Sequence, residues 1–261
     1  MSLKKVILVL LMLALIMPGV FPQPADATEI IEYSPASSND TSSISQTASG
    51  PATIQNYPMP SIYTASSMYA LKAENEAVPV IAYLADYDYA QFSFSGTVTL
   101  EVTADKPITS YSISPLAKKI KGTVDGNKLT FTLSSSTYVI VEINGQRKKL
   151  VIAADPLETD IPASSGPGIY NVTAAPYNAD STGATLASGA IQQAIDDAHL
   201  AGGGTVFIPA GVYTSSNLIL KSNVTVYVAG GAVIVGTGKG EDYRNDFRKD
   251  SRNADGTYFI S

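Results

Sequence analysis

The sequence predicts an all-β chain in two parts: an antiparallel β-sandwich, then a solenoid of parallel strands fronted by one capping helix. Three observations carry this expectation. Apolar residues alternate at period two through the first part, a seven-residue strand-and-turn segment recurs 20 positions on in the second, and one amphipathic stretch stands just before that repeat.

The N-terminus comes first. Lys4 and Lys5 precede an unbroken apolar run, Val6 to Met17, which Pro18 and Gly19 end. Ala25-Asp26-Ala27 supplies the small-x-small pattern of a signal peptidase site, so residues 1–27 are expected to be a signal peptide and the mature chain to begin near Thr28. The apolar run of 12 residues is shorter than the ~20 a membrane span needs. The expected location is therefore extracellular, with no membrane association after cleavage.

Removing Lys4, Lys5 and Asp26 takes the balance from 17 basic and 23 acidic residues to 15 and 22, a net charge of −7. Nucleic acid requires clustered Lys and Arg, and this balance argues against it as a partner. The chain has no cysteine and one histidine, which excludes thiol catalysis, Cys-based zinc sites and His-rich metal sites. No cofactor and no metal are expected. Residues 28–60 are rich in Ser, Thr, Ala and Pro without apolar periodicity and read as a flexible spacer.

The sandwich is assigned to residues 61–154. Val98, Leu100 and Val102 alternate with Thr97, Thr99, Glu101 and Thr103, and the pattern returns at Leu129, Phe131, Leu133 and at Val139, Val141, Ile143. Asp125-Gly126-Asn127 and Asn144-Gly145 separate such runs and supply the positive φ that tight hairpins need. About eight short strands with no helix favour two packed antiparallel sheets. Tyr83, Tyr87, Tyr89, Phe92 and Phe94 form an aromatic cluster. Rings so clustered serve core and rim packing more often than sugar stacking, and no binding role is assigned to them. Residues 155–168, with three prolines, read as a second linker.

From residue 169 the pattern changes. Between Ala187 and Leu200, residues Ala190, Ile191, Ala194, Ile195 and Ala198 share one helical face, with Gln192, Gln193, Asp196 and Asp197 opposite. Thr185 or Ser188 is expected to cap its start and Gly202 its end. His199 sits in the last turn, where the helix dipole favours a cation. It reads as a surface group, because no partner constellation accompanies it. Asp196 and Asp197 are adjacent and diverge by about 100° on a helix, so they do not form a catalytic pair.

Thr205-Val206-Phe207-Ile208-Pro209-Ala210-Gly211 then reads against Thr225-Val226-Tyr227-Val228-Ala229-Gly230-Gly231 with a period of 20, and Thr257-Tyr258-Phe259-Ile260 resumes it after an insertion of 12. Equal spacing with a recurring turn glycine predicts parallel coils, and the helix would close their open N-terminal end. The insertion, within Lys239 to Asp255, mixes five basic and five acidic residues. Loops between coils are where such scaffolds build binding walls, so Tyr243, Arg244, Arg248 and Lys249 are the candidate substrate-binding residues. A solvated, salt-bridged loop is the plainer alternative.

Residues 169–261 resemble the start of a pectate-lyase-like right-handed parallel β-helix, most closely the polygalacturonase-type glycoside hydrolases of family 28. The resemblance lies in Tyr170-Asn171-Val172, Ala190-Ile191-Gln192 with Ala194-Ile195-Asp196, Gly202-Gly203-Gly204-Thr205-Val206, Ile208-Pro209-Ala210-Gly211-Val212-Tyr213, Leu220-Lys221-Ser222-Asn223-Val224 and Gly231-Ala232. The preceding module is similar, less specifically, to N-terminal modules of family 28 and family 49 enzymes. Relatives often carry an acidic pair before the helix, where this chain has Leu186-Ala187.

The resemblance thus implies an N-terminal antiparallel β-sandwich followed by the N-terminal cap helix and first coils of a right-handed parallel β-helix. It also implies an extracellular hydrolase acting on a pectin-type polysaccharide, monomeric when full length. The inverting reaction uses paired carboxyl groups. The family's active-site motifs (Asn-Thr-Asp, a Gly-Asp-Asp type pair, Gly-His-Gly, Arg-Ile-Lys) do not occur, so no catalytic residue is assigned and the catalytic coils are expected beyond Ser261. A polysaccharide lyase and a non-catalytic, carbohydrate-binding β-helix are the alternatives.

Overall fold

The computed structural model describes residues 52–245, 247–249 and 254–261. The expected signal peptide and residues 28–51 of the expected spacer lie outside them.

Twelve strands come first: β1 (Thr53–Asn56), β2 (Thr64–Ala65), β3 (Tyr69–Ala73), β4 (Glu76–Val78), β5 (Val80–Ala82), β6 (Tyr87–Ser95), β7 (Val98–Ala104), β8 (Tyr111–Ser114), β9 (Gly122–Asp125), β10 (Lys128–Leu133), β11 (Thr137–Ile143) and β12 (Lys149–Pro156). One sheet has the order β2-β5-β6-β12-β11-β8, with β1 also on β6; the other has the order β4-β3-β7-β10-β9. The alternating residues do what their period requires. Val98, Leu100, Val102, Leu129, Phe131, Leu133, Val139, Val141 and Ile143 are all buried, and they share one core with Phe92, Leu150 and Ile152.

Two features depart from expectation. Strand β1 lies within the span read as spacer and pairs with β6 from Thr53↔Ser95 to Asn56↔Phe92. Strand β12 pairs with β6 in parallel over eight residues, so the module is not antiparallel throughout. Alternation reports which face of a strand is buried and says nothing of its direction.

The core also holds an ion pair. Asp88, on β6, is 0% exposed and meets Lys148 Nζ at 2.7 Å. Its other oxygen accepts from Ser66 Oγ at 2.5 Å, and Ser66 Oγ in turn accepts the Met68 and Tyr69 amides.

The second part runs β13 (Ile169–Asn171), β14 (Thr182–Leu186), α1 (Ser188–Leu200), β15 (Gly204–Ile208), β16 (Gly211–Ser215), β17 (Val224–Val228) and β18 (Ala232–Gly236), with the hairpin β19 (Phe247–Lys249) and β20 (Ala254–Gly256). Two three-stranded parallel sheets form, β13-β15-β17 and β14-β16-β18. Thr205 lies beside Thr225 and Ile208 beside Val228, so the 20-residue period is the stacking register itself. Along the second sheet the offset is 21, Gly211 beside Ala232, because the second coil's turn is one residue longer. Gly203 shows why the turn is glycine: its φ is +135°, and a Cβ there would lie 2.7 Å from the Asn223 carbonyl one coil on.

The third copy of the repeat is not where the sequence places it. Ile260 bridges Leu218 in parallel, an offset of 42, and so belongs to a third face of the coil rather than to the stack of Thr205 and Thr225. Leu218 N–H donates to Phe259 O at 2.9 Å and Ser261 N–H to Leu218 O at 3.0 Å. Against a coil of about 20 residues this makes the insertion close to a full coil in length, not 12 residues. Thr-Tyr-Phe-Ile resembles Thr-Val-Tyr-Val in hydropathy, and hydropathy alone does not distinguish one coil face from another.

Helix α1 begins without a side-chain cap: its N-cap is Ala187. Thr185 is committed elsewhere, donating its amide and hydroxyl to Asp180 Oδ2 at 2.6 and 2.9 Å, while Thr182 does the same to Oδ1. These donors, Thr182 foremost, hold the exposed Asp180 carboxyl well below the usual carboxylate range. The C-terminus follows expectation, with Gly202 N–H on His199 O and Gly203 N–H on Ala198 O, both within 3.0 Å. Those two bonds, with Gly202 at φ +91°, are a Schellman motif. Ile191, Ala194, Ile195 and Ala198 are buried in a second core with Val206, Ile208, Tyr213 and Leu218.

All described residues belong to one compact unit. Tyr57 bridges its two parts, with its hydroxyl 2.5 Å from Ser93 Oγ on β6 and its ring against Gly230 between β17 and β18. Phe207 and Tyr227 stack one above the other, 5.4 Å between ring centres, on the coil face that Glu158 reaches. Burial and the Glu158 carboxylate push the Tyr227 phenol well up.

Candidate functional site

The insertion leaves the coils after β18 and returns before Ile260, so its position depends on what holds its two ends. Asn217, in the turn after β16, holds both. Its Oδ1 accepts the Arg244 amide at 2.9 Å, and its Nδ2 donates to Thr257 Oγ1 at 2.7 Å and to the Tyr258 carbonyl. A side-chain amide suits this task because it donates and accepts at once.

Of the four candidate residues, Tyr243 is engaged under the loop. Its hydroxyl accepts the Thr237 amide at 3.0 Å and donates to Ser215 O at 3.4 Å, and its ring tilts against Phe259. Arg244 follows it at the pinned end of the loop. Arg248 and Lys249 lie on β19, opposite Asp255 and Ala254 of β20. The structure thus seats Tyr243 under the loop next to the Arg244 amide that Asn217 holds, and places Arg248 and Lys249 on β19.

The polar face of α1 has a task the sequence did not disclose. Gln192 Oε1 accepts the Ile219 amide at 2.8 Å, and Gln192 Nε2 donates to the Ile219 carbonyl at 3.0 Å. Leu218 turns its own backbone groups the other way, to Phe259 and Ser261. The carboxamide therefore stands where the preceding coil would offer a peptide group, and it closes the strand edge. One and two turns further along the helix, Asp196 approaches Lys221 at 4.0 Å and His199 Nδ1 donates to Ser222 O at 2.9 Å. The 192, 196, 199 stripe was the available signal: an amide, a carboxylate and an imidazole at i, i+4 and i+7 meet one neighbouring segment.

The carboxylates do not converge. Asp197 accepts from Tyr177 Oη at 3.0 Å, and Asp196 from Gln192 Nε2 at 3.1 Å. Among the described residues no group of three or more His, Cys, Asp or Glu side chains is placed to hold a metal ion. Nor is any helix among them long and apolar enough to cross a membrane.

No family model matches the chain. It is 45% identical over 80 residues to alginate lyase 7 of Azotobacter vinelandii, covering 28% of this chain and 8% of that protein. It is 35% identical over 82 residues to exo-poly-alpha-D-galacturonosidase of Dickeya chrysanthemi, 31% of this chain and 13% of that one. Mannuronan C5-epimerase AlgE3 of A. vinelandii matches at 45% over 65 residues, 25% and 4% of the two chains. By sequence, the chain resembles part of each of these enzymes. It spans 4% to 13% of the lengths of these relatives. Among solved structures, Dex49A of Penicillium minioluteum superposes over 70% of this chain and 44% of its own with a TM-score of 0.47 at 14% identity. The family 28 exopolygalacturonase of Yersinia enterocolitica does so over 64% and 35% with a TM-score of 0.32 at 22% identity.

Proposed function

We propose that this chain is the N-terminal part of a secreted polysaccharide-degrading glycoside hydrolase of the polygalacturonase type, with pectin-type galacturonan as substrate. The observation that carries the reading is the sequence similarity to the Dickeya exo-poly-alpha-D-galacturonosidase, in a chain whose strands stack in parallel at a 20-residue register. In this reading residues 1–27 are an export signal and the two-sheet part is a β-sandwich module. Helix α1 caps a right-handed β-helix that begins near residue 169. The paired carboxyls of an inverting hydrolase lie on coils after Ser261. Arg244, Arg248 and Lys249 put three cations on the insertion, where a polyanionic chain could be met, while Tyr243 props the loop from below.

The similarity to alginate lyase 7 favours a second reading, β-elimination on a uronate polymer. Product chemistry separates the two. The secreted protein extended past Ser261 should release new reducing ends from polygalacturonate with no ultraviolet absorbance from unsaturated uronate. Appearance of the unsaturated product replaces hydrolase with lyase. Inertness toward polygalacturonate and alginate alike refutes both.

A further inference from the structure

The seven-stranded sheet buries one face in the core; on the other, the end at Ser93 is covered by Tyr57, and the end at Tyr87 stays open to solvent. Asp88, Ala90 and Phe92 of β6 point inward, whereas Tyr87, Tyr89 and Gln91 are half-exposed on the opposite face. Across the strands, Lys149 stands beside Tyr87, and Ile140, Val151 and Tyr89 form a row. The rows border an open hollow of about 540 Å³, lined among others by Tyr87, Ile140 and Val151 and by Gln146 at the β11–β12 turn.

Two ion pairs border the same hollow. Arg147 Nε lies 2.5 Å from Asp86 Oδ1, and Lys149 Nζ lies 2.7 Å from Glu142 Oε2. Charges of the two signs are matched, so the site presents no net charge while offering donors and acceptors side by side. Away from the hollow the aromatic surface continues: Tyr83 lies 5.4 Å from Tyr87, and Tyr63 lies 5.9 Å from Tyr83, between ring centres.

We propose that this outer tyrosine face is a binding site for a neutral polysaccharide chain, separate from the coils and from the insertion. The chemistry selects the ligand. A hydroxyl both donates and accepts, so a polyhydroxylated chain can bond Asp86 with Arg147 and Glu142 with Lys149 without leaving either charge unmatched. The apolar C–H face of a pyranose ring covers Tyr87, Ile140 and Val151, as amphipathic aromatic surfaces allow. A uronate polymer would bring carboxylates to Asp86 and Glu142, a repulsion that the already paired Arg147 and Lys149 do not relieve. The line of Tyr87, Tyr83 and Tyr63 extends the contact beyond one sugar. The site stands independently of the galacturonan reading, and the coils could act on one component of a mixed polysaccharide matrix while this face holds another.

Affinity electrophoresis of the 261-residue chain tests it, in gels containing dextran, arabinoxylan, galactomannan, hydroxyethylcellulose or polygalacturonate. At least one neutral polymer should retard the chain. Tyr87→Ala and, separately, Gln146→Ala should each reduce that retardation at least fivefold, with circular dichroism unchanged for the turn variant Gln146→Ala. Retardation by polygalacturonate alone overturns the proposal, as does migration unaffected by every polymer. Retardation by a neutral polymer that Gln146→Ala and a folded Tyr87→Ala leave intact places binding elsewhere and also overturns it. Should Tyr87→Ala not fold, Gln146→Ala decides alone.

Discussion

Replacing Gln192 by Leu keeps most of the side-chain volume and removes both bonds to Ile219. The amide of Ile219 then loses an acceptor at 2.8 Å and its carbonyl loses a donor at 3.0 Å. A hydrogen bond contributes about 1 kcal/mol net, and a fully buried group left unpaired costs about 1–3 kcal/mol. Ile219 is half-buried, so water recovers part of the loss, and the expected destabilisation of the coil segment is about 2 kcal/mol in all. Native-state hydrogen exchange read by NMR is the suitable assay, because it reports the Ile219 amide directly and the rest of the coils as reference. The amide should exchange roughly 30-fold faster in Gln192→Leu, the rate equivalent of about 2 kcal/mol, while amides of β7 and β10 stay unchanged. Gln192→Glu keeps an acceptor and loses the donor, so it should fall between the two. If Ile219 is protected equally in wild type and Gln192→Leu, the carboxamide does not close the strand edge and the explanation of the helix's polar face is wrong.

Three further outcomes are expected. Asn217→Ala should free both ends of the insertion, so that limited proteolysis cuts within residues 244–257 much faster than in wild type while the two-sheet module survives. Lys148→Met leaves the Asp88 carboxylate buried without its cation and should destabilise that module by about 3 kcal/mol in denaturant unfolding; Lys148 is itself a quarter exposed, which puts the cost at the low end for a broken buried pair. Burial pushes the phenols of Tyr69, Tyr177 and Tyr213 up to about 12 from 10.0, helped at Tyr69 by Asp88 and at Tyr177 by the bond to Asp197. Between pH 10 and 12 the unfolded chain therefore holds fewer protons than the folded one, so stability should be intact below pH 10 and fall steadily above it. Unfolding midpoints measured alongside tyrosinate absorbance check this.

The parts of the fold that were legible in the sequence are those set by periodicity. Val98, Leu100 and Val102 announce a buried face because nothing but a strand places every second residue inward. Thr205 and Thr225 announce parallel coils because equal spacing survives only when strands run the same way. Contacts between segments distant in sequence were not legible. The parallel union of β6 and β12 joins strands about 60 residues apart whose alternation would look the same in either direction. Thr257 to Ile260 misled because its hydropathy matches one coil face while its backbone bonds join another. Gln192 and Asn217 were passed over for a common reason: an amide on a polar face or in a turn looks solvated until the backbone it serves is in place. Residues 83–94 were read as one aromatic cluster, and the pleat divides it. Phe92 and Phe94 fill the core, while Tyr83, Tyr87 and Tyr89 stay at the surface.

The central claim is that these residues are the forward scaffold of a polysaccharide-degrading enzyme whose catalytic carboxyls lie on later coils. Reducing-end release from polygalacturonate, measured in parallel for the 261-residue chain and for the secreted protein extended past Ser261, tests it most directly. The account predicts turnover by the extended protein and none by the chain alone. Turnover by the 261-residue chain that is abolished by replacing one of its own carboxylates, Asp196 or Asp197 among them, would contradict it.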